Sequence, residues 1–116
     1  MKKRDYRDYL CDIIQSIRDI EVFTEDMAYE KFIKDKRTIN AVVRSIEIIG
    51  EAAKNIPSAT RSIYKNVPWR EMAGMRDKVI HEYFGVDLDI VWKTIKLRLP
   101  GLKKELNIIY KKEIKK

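Results

Sequence analysis

Cysteine occurs once in this chain, at Cys11, and histidine once, at His81. A lone cysteine excludes an internal disulfide, and one Cys with one His leaves too few ligands for a structural zinc site in a single chain. Glycine and proline are also scarce, four and three among 116 residues, which argues against a disordered chain. No apolar run approaches the roughly 20 residues that span a bilayer. The opening MKKRDYRDYL turns acidic and polar before any apolar stretch develops, so it does not read as a signal peptide. A cytoplasmic location without membrane contact is the expectation. Two-residue alternation and strand–turn–strand signals are missing as well. Carboxylates are plentiful, but nothing resembles a dedicated metal site, and no cofactor is expected.

What is present is a balance of 45% hydrophobic and 37% charged residues, which suits one soluble helical domain spanning residues 1–116. Tyr6, Tyr9, Leu10, Ile13, Ile14, Ile17 and Ile20 recur at three- and four-residue steps and predict an amphipathic helix ending near Phe23. Thr24 or Asp26 is placed to cap a shorter helix through MAYEKFIKD. A second long helix is predicted from about Lys36 to Asn55, with Ile39, Val42, Val43, Ile46, Ile49, Gly50 and Ala53 on its stripe and Pro57 as its stop. Gly50, Ala52 and Ala53 are small enough for a neighbouring helix to come close. SATRSIYKNVPW reads as a short helix and a turn, and Pro68 suits the first position of the next helix. Gly85 fits that helix's C-terminus and Asp87 the cap of a further one, with Leu88, Val91, Trp92 and Ile95 inward. Pro100 and Gly101 interrupt or restart it. The last helix turns Leu102, Leu106, Ile109 and Tyr110 inward and its lysines outward. The fold class is an all-α bundle.

The net charge of +7 is localised. Residues 1–38 and 39–92 are each neutral overall, whereas residues 93–116 carry nine Lys/Arg against only Glu105 and Glu113. Such a segment attracts a polyanion or an acidic partner, or is simply a solvated face and a frayed tail.

Chemistry concentrates in GMRDKVIHEYF, residues 74–84. On a straight helix Arg76 and His81, five residues apart, lie about 140° apart around the axis. They converge on one spot only if the helix loosens near His81 or a second copy supplies the partner. Asp77 and His81, four apart, share a face, where the carboxylate can orient the imidazole. Arg76 offers a planar fork suited to phosphate, and His81 passes protons near neutral pH. These groups meet the needs of metal-free RNA cleavage: deprotonation of a 2′-hydroxyl, stabilisation of phosphorane charge and protonation of the leaving oxygen. In a symmetric dimer two His81 side chains could divide the acid and base roles. Spacing alone equally allows a His that caps carbonyls, an Arg in a surface ion pair and a Tyr83 in the core. Glu51 on the preceding long helix is either a supporting residue or an exposed helical glutamate.

RDKVIHEY matches R-x4-H-x-Y, and together with IGEAA, PWREMAGMR and YFGVD in this order it resembles the HepT family of HEPN-domain proteins over most of the chain. The resemblance implies a HEPN-type bundle of four main helices plus short ones that dimerises and sets two motifs in a shared cleft. It implies a metal-independent ribonuclease, the toxin of a toxin–antitoxin pair. Its partner would be an MntA-like minimal nucleotidyltransferase that silences it by adding AMP to the motif tyrosine. Carried over, Arg76 and His81 are catalytic, Asp77 is the polar residue after the motif Arg, and Tyr83 is the adenylylation site. The alternative is a non-catalytic nucleotide-binding or scaffold partner of the nucleotidyltransferase, and a weaker one a purely structural bundle with a basic tail. The C-terminal lysines match no motif of the family.

Overall fold

The computed structural model describes residues 4–81 and 88–116, with the backbone alone for residues 76–81. Four long helices carry the fold: α1 (Tyr6–Phe23), α3 (Lys36–Lys54), α5 (Trp69–His81) and α7 (Leu99–Glu113). Short α2 (Tyr29–Phe32), α4 (Ser58–Ile63) and α6 (Leu88–Lys93) join them. The described residues form no strand. The expected bundle of four main helices plus short ones is therefore the observed architecture.

Helix α3 is the centre, with its most extensive contacts to α5 and α1, while α7 packs on α1. Its buried stripe, Val42, Val43, Ile46, Ile49, Gly50 and Ala53, is the one the periodicity predicts. From α1, Leu10, Ile13, Ile17 and Ile20 are completely buried against it. Small Gly50, Ala52 and Ala53 lie buried on α3, where short side chains let neighbouring backbones approach. Met72 from α5 and Leu106 and Ile109 from α7 complete the core. Trp92 of α6 packs on Phe32 of α2 with ring centroids 5.0 Å apart, so the short helices close one flank.

The two long N-terminal helices are capped by aspartates. The Asp5 carboxylate accepts from the Arg7 N–H of α1, and that of Asp35 accepts from the Thr38 N–H of α3. Hydrogen bonds from Arg7 hold the Asp5 carboxyl at about 2.

Three expectations change in detail. Thr24 closes α1 instead of opening the next helix: its hydroxyl donates to the Ile20 carbonyl at 2.8 Å. Asp26 sits in the left-handed region at φ 56, a turn conformation that aspartate tolerates better than most residues. The next helix is only four residues long, and its N-cap, Ala28, makes no side-chain cap bond. Pro68 lies one position ahead of the expected one, as its carbonyl accepts the Met72 N–H at 2.9 Å.

The third concerns Pro100. The helix neither stops nor restarts cleanly, because α6 continues through a π-helical turn, Thr94–Arg98, into α7. Pro100 has no N–H for the Lys96 carbonyl, and its ring crowds that carbonyl. Widening the preceding turn, with the Leu99 N–H bonded to the Thr94 carbonyl, absorbs the mismatch. Gly101 follows in helical conformation, and a Cβ added there would meet nothing within 4 Å. Gly101→Ala should therefore raise stability by about 0.5–1 kcal/mol, read as a higher urea midpoint at unchanged slope.

Candidate functional site

Helix α5 carries the motif, and its N-terminal half is anchored firmly. Val67, Trp69 and Met72 are buried, and the Trp69 indole N–H donates to the Tyr64 carbonyl at 3.1 Å. From that anchor the helix runs as regular α-helix to His81. Arg76, Asp77 and His81 thus stand on continuous helical backbone, with no loosening up to His81. Their register is the one deduced above: Arg76 and His81 about 140° apart, Asp77 and His81 about 40° apart. Their side chains, and Tyr83, Gly85 and Asp87 altogether, lie outside the described residues.

Glu51 is exposed on α3. It lines a cavity of about 280 Å³ together with Arg4, Tyr9, Asp12, Arg44 and Glu47, at the junction of α3 with α1 and with Arg4 ahead of α1. Arg4 pairs with Asp12 at 2.9 Å and covers the Tyr9 ring at 4.6 Å. Among the described residues, no three of His, Cys, Asp and Glu gather closely enough to hold a metal ion. None of the helices there is long and apolar enough to cross a membrane.

The basic C-terminal segment is partly neutralised. Lys93 pairs with Asp89 at 2.9 Å, Arg98 with Glu71 at 3.5 Å, Lys103 with Glu21 at 2.7 Å and Lys116 with Glu113 at 2.8 Å. Lys104, Lys111, Lys112 and Lys115 are exposed on and beyond α7. The cations that sequence reasoning passed over lie elsewhere. Arg61 and Lys65, from the stretch read only as a short helix and a turn, and Arg70, at the start of the motif helix, line one cavity of about 550 Å³ between α4 and the start of α5. Their spacings of four and five residues were visible, but it is the turn from Tyr64 to Trp69, held by the Val67 N–H and the Trp69 indole on the Tyr64 carbonyl, that brings them to one groove.

A second feature missed is Glu113. It is 2% exposed, and its carboxylate accepts from the Tyr6 hydroxyl at 2.5 Å and the Tyr64 hydroxyl at 2.6 Å. Burial pushes this carboxyl up, but hydrogen bonds from Lys116, Tyr6 and Tyr64 outweigh that and hold it at about 2. The same bond, with burial, pushes the Tyr64 phenol up to about 12. This cluster ties α1, the end of α4 and the end of α7 together. It is a structural lock, set apart from the motif in sequence and anchored on different helices.

The family model described as Ribonuclease HepT-like matches residues 13–109. A Thermococcus cleftensis protein, named probable ribonuclease HepT, is 54% identical over 87% of this chain and 92% of its own. A Methanocaldococcus jannaschii protein, provisionally named as an RNase, is 50% identical over 96% of both chains. A Caldanaerobacter subterraneus protein with a similarly provisional RNase name is 47% identical over 92% of this chain and 96% of its own. No solved structure matches the chain. The matched span runs from the core of α1 through the motif to the core of α7, and on that extent the chain belongs to the HepT-like ribonuclease family.

Proposed function

We propose that this chain is a metal-independent endoribonuclease that works as a homodimer and serves as the toxin of a toxin–antitoxin pair. The observation that carries the reading is the intact sequence motif of Arg76, His81 and Tyr83, with Arg76 and His81 on α5, in a chain whose relatives bear ribonuclease names. Regular helix through His81 keeps Arg76 and His81 on different faces, so the second copy supplies what one helix withholds. In the shared cleft one His81 takes the 2′-hydroxyl proton and the attacking oxygen closes on phosphorus. Arg76 stabilises the phosphorane charge with its fork, and the second His81 gives a proton to the departing 5′-oxygen. Asp77 orients the imidazole from one turn away, and Glu51 on α3 supports the site.

Regulation falls on Tyr83. An MntA-like minimal nucleotidyltransferase transfers AMP from ATP to its phenol oxygen, releasing pyrophosphate and the phenol proton, and so adds bulk and negative charge beside a site that must receive RNA phosphate. The test is cleavage of RNA by purified protein in excess EDTA. Cleavage is expected, and none under any condition would leave the chain as a binding partner of the transferase. Intact mass after co-expression with that transferase should rise by AMP units mapped to Tyr83.

A further inference from the structure

The groove between α4 and α5 has a composition that the motif does not account for. Arg61, Lys65 and Arg70 line it together with the hydroxyls of Ser58 and Ser62. Its acid is Glu71, whose carboxylate faces Arg98 at 3.5 Å. Arg61 Nε is buried and has no acceptor among the described residues. None of the three cations has an ion-pair partner among the described residues. The groove opens at the N-terminus of a 13-residue helix, the end where the backbone dipole favours negative charge.

Two continuities extend it. Lys65 also lines the adjoining cavity of about 570 Å³, where Lys112 of α7 faces it beside one acid, Glu105, and the apolar Ile63, Ile108 and Ile109, so Lys65 links the groove to the lysine side of that helix. On α5 itself, Arg70 and His81 are eleven residues apart, which places their register positions within about 20° of one stripe and roughly 16 Å apart along the axis.

We propose that this groove is a phosphate track that holds the RNA backbone upstream or downstream of the cleaved bond, with Arg61, Lys65 and Arg70 as its phosphate-binding residues. It rests on the ribonuclease reading for the identity of the polyanion. It also gives the exposed lysines of α7 a role, as the outer end of the same track.

The test separates binding from cutting by using a labelled single-stranded RNA in which every 2′-hydroxyl is methylated, so that it cannot be cleaved. Wild type is compared with Arg61→Gln/Lys65→Gln/Arg70→Gln. A control triple, Lys34→Gln/Lys36→Gln/Arg37→Gln, removes the same charge from exposed sites outside both grooves. Circular dichroism confirms that each variant folds. The groove triple should weaken binding by on the order of 100-fold at 0.1 M salt and make the slope of log K against log salt shallower by about 2. The control triple should do much less. Equal losses in both triples, an unchanged affinity in the groove triple, or no RNA binding by wild type would each overturn the track. A wild type that cuts ordinary RNA while the groove triple binds normally overturns the track alone. A groove-dependent affinity in a protein that cuts nothing overturns the ribonuclease reading alone.

Discussion

His81→Ala should lower RNA cleavage by about a thousandfold, because the two His81 side chains of the dimer divide the removal and the donation of a proton near neutral pH. The larger information is in mixing. If two His81 imidazoles serve one cleft, a dimer with one wild-type and one His81→Ala protomer is inactive. An equimolar mixture, allowed to exchange subunits, then retains about one quarter of the wild-type rate per total dimer, the share of fully wild-type pairs. Independent sites on each protomer would retain about one half. The quadratic dependence on wild-type fraction is therefore the measurement, and a linear dependence sinks the shared cleft while leaving His81 as a catalytic residue. The physical basis is the regular helix of α5, which keeps Arg76 and His81 about 140° apart on any single copy.

Glu113→Ala should destabilise the fold by about 3 kcal/mol, roughly 10 °C in melting temperature. The Tyr6 and Tyr64 hydroxyls would lose a charged acceptor inside the protein, and each such bond is worth about 1.5–3 kcal/mol. Lys116→Ala should cost under about 1 kcal/mol, since that ammonium is more than half exposed and returns to water. Tyr6→Phe and Tyr64→Phe should fall between these limits.

Acid makes a second readout of the same lock. The Glu113 carboxyl is held at about 2 in the fold, below its ordinary value of 4.5. A depressed folded value means the stabilisation is complete above about pH 5 and fades as pH falls toward 2. Wild type and Glu113→Ala should therefore converge in stability across that window. Parallel curves down to pH 2 would show that the carboxylate is not what the tyrosines hold.

Much of the fold is legible in local spacing. The stripes of α1 and α3 are buried almost residue for residue as their periodicity predicts, because a helical repeat is a property of neighbours three and four apart. The motif is legible for the same reason, since Arg76, Asp77 and His81 lie within two turns of α5. Boundaries were harder. Thr24 is as good a start signal as a stop signal, and its hydroxyl bond back to the Ile20 carbonyl makes it the stop. Pro100 marked a break, but whether the chain turned or widened depended on Leu99 and Ile95 both being buried in the core, which holds the helix on course through the π turn.

By itself, then, the sequence determined an all-α chain, the inward faces of its long helices and the residues of a motif carried by its third long helix. The tertiary structure decided what distant residues do to one another. Glu113 sits 107 positions from Tyr6 and 49 from Tyr64, and in the sequence it is one acid within a basic tail. Burial turned it into the acceptor that joins three helices. Arg61, Lys65 and Arg70 became one groove only through the turn from Tyr64 to Trp69 that joins α4 to α5. Helical period is set by local backbone geometry and can be read along the chain, whereas the environment of a charge is set by whichever helix packs against it.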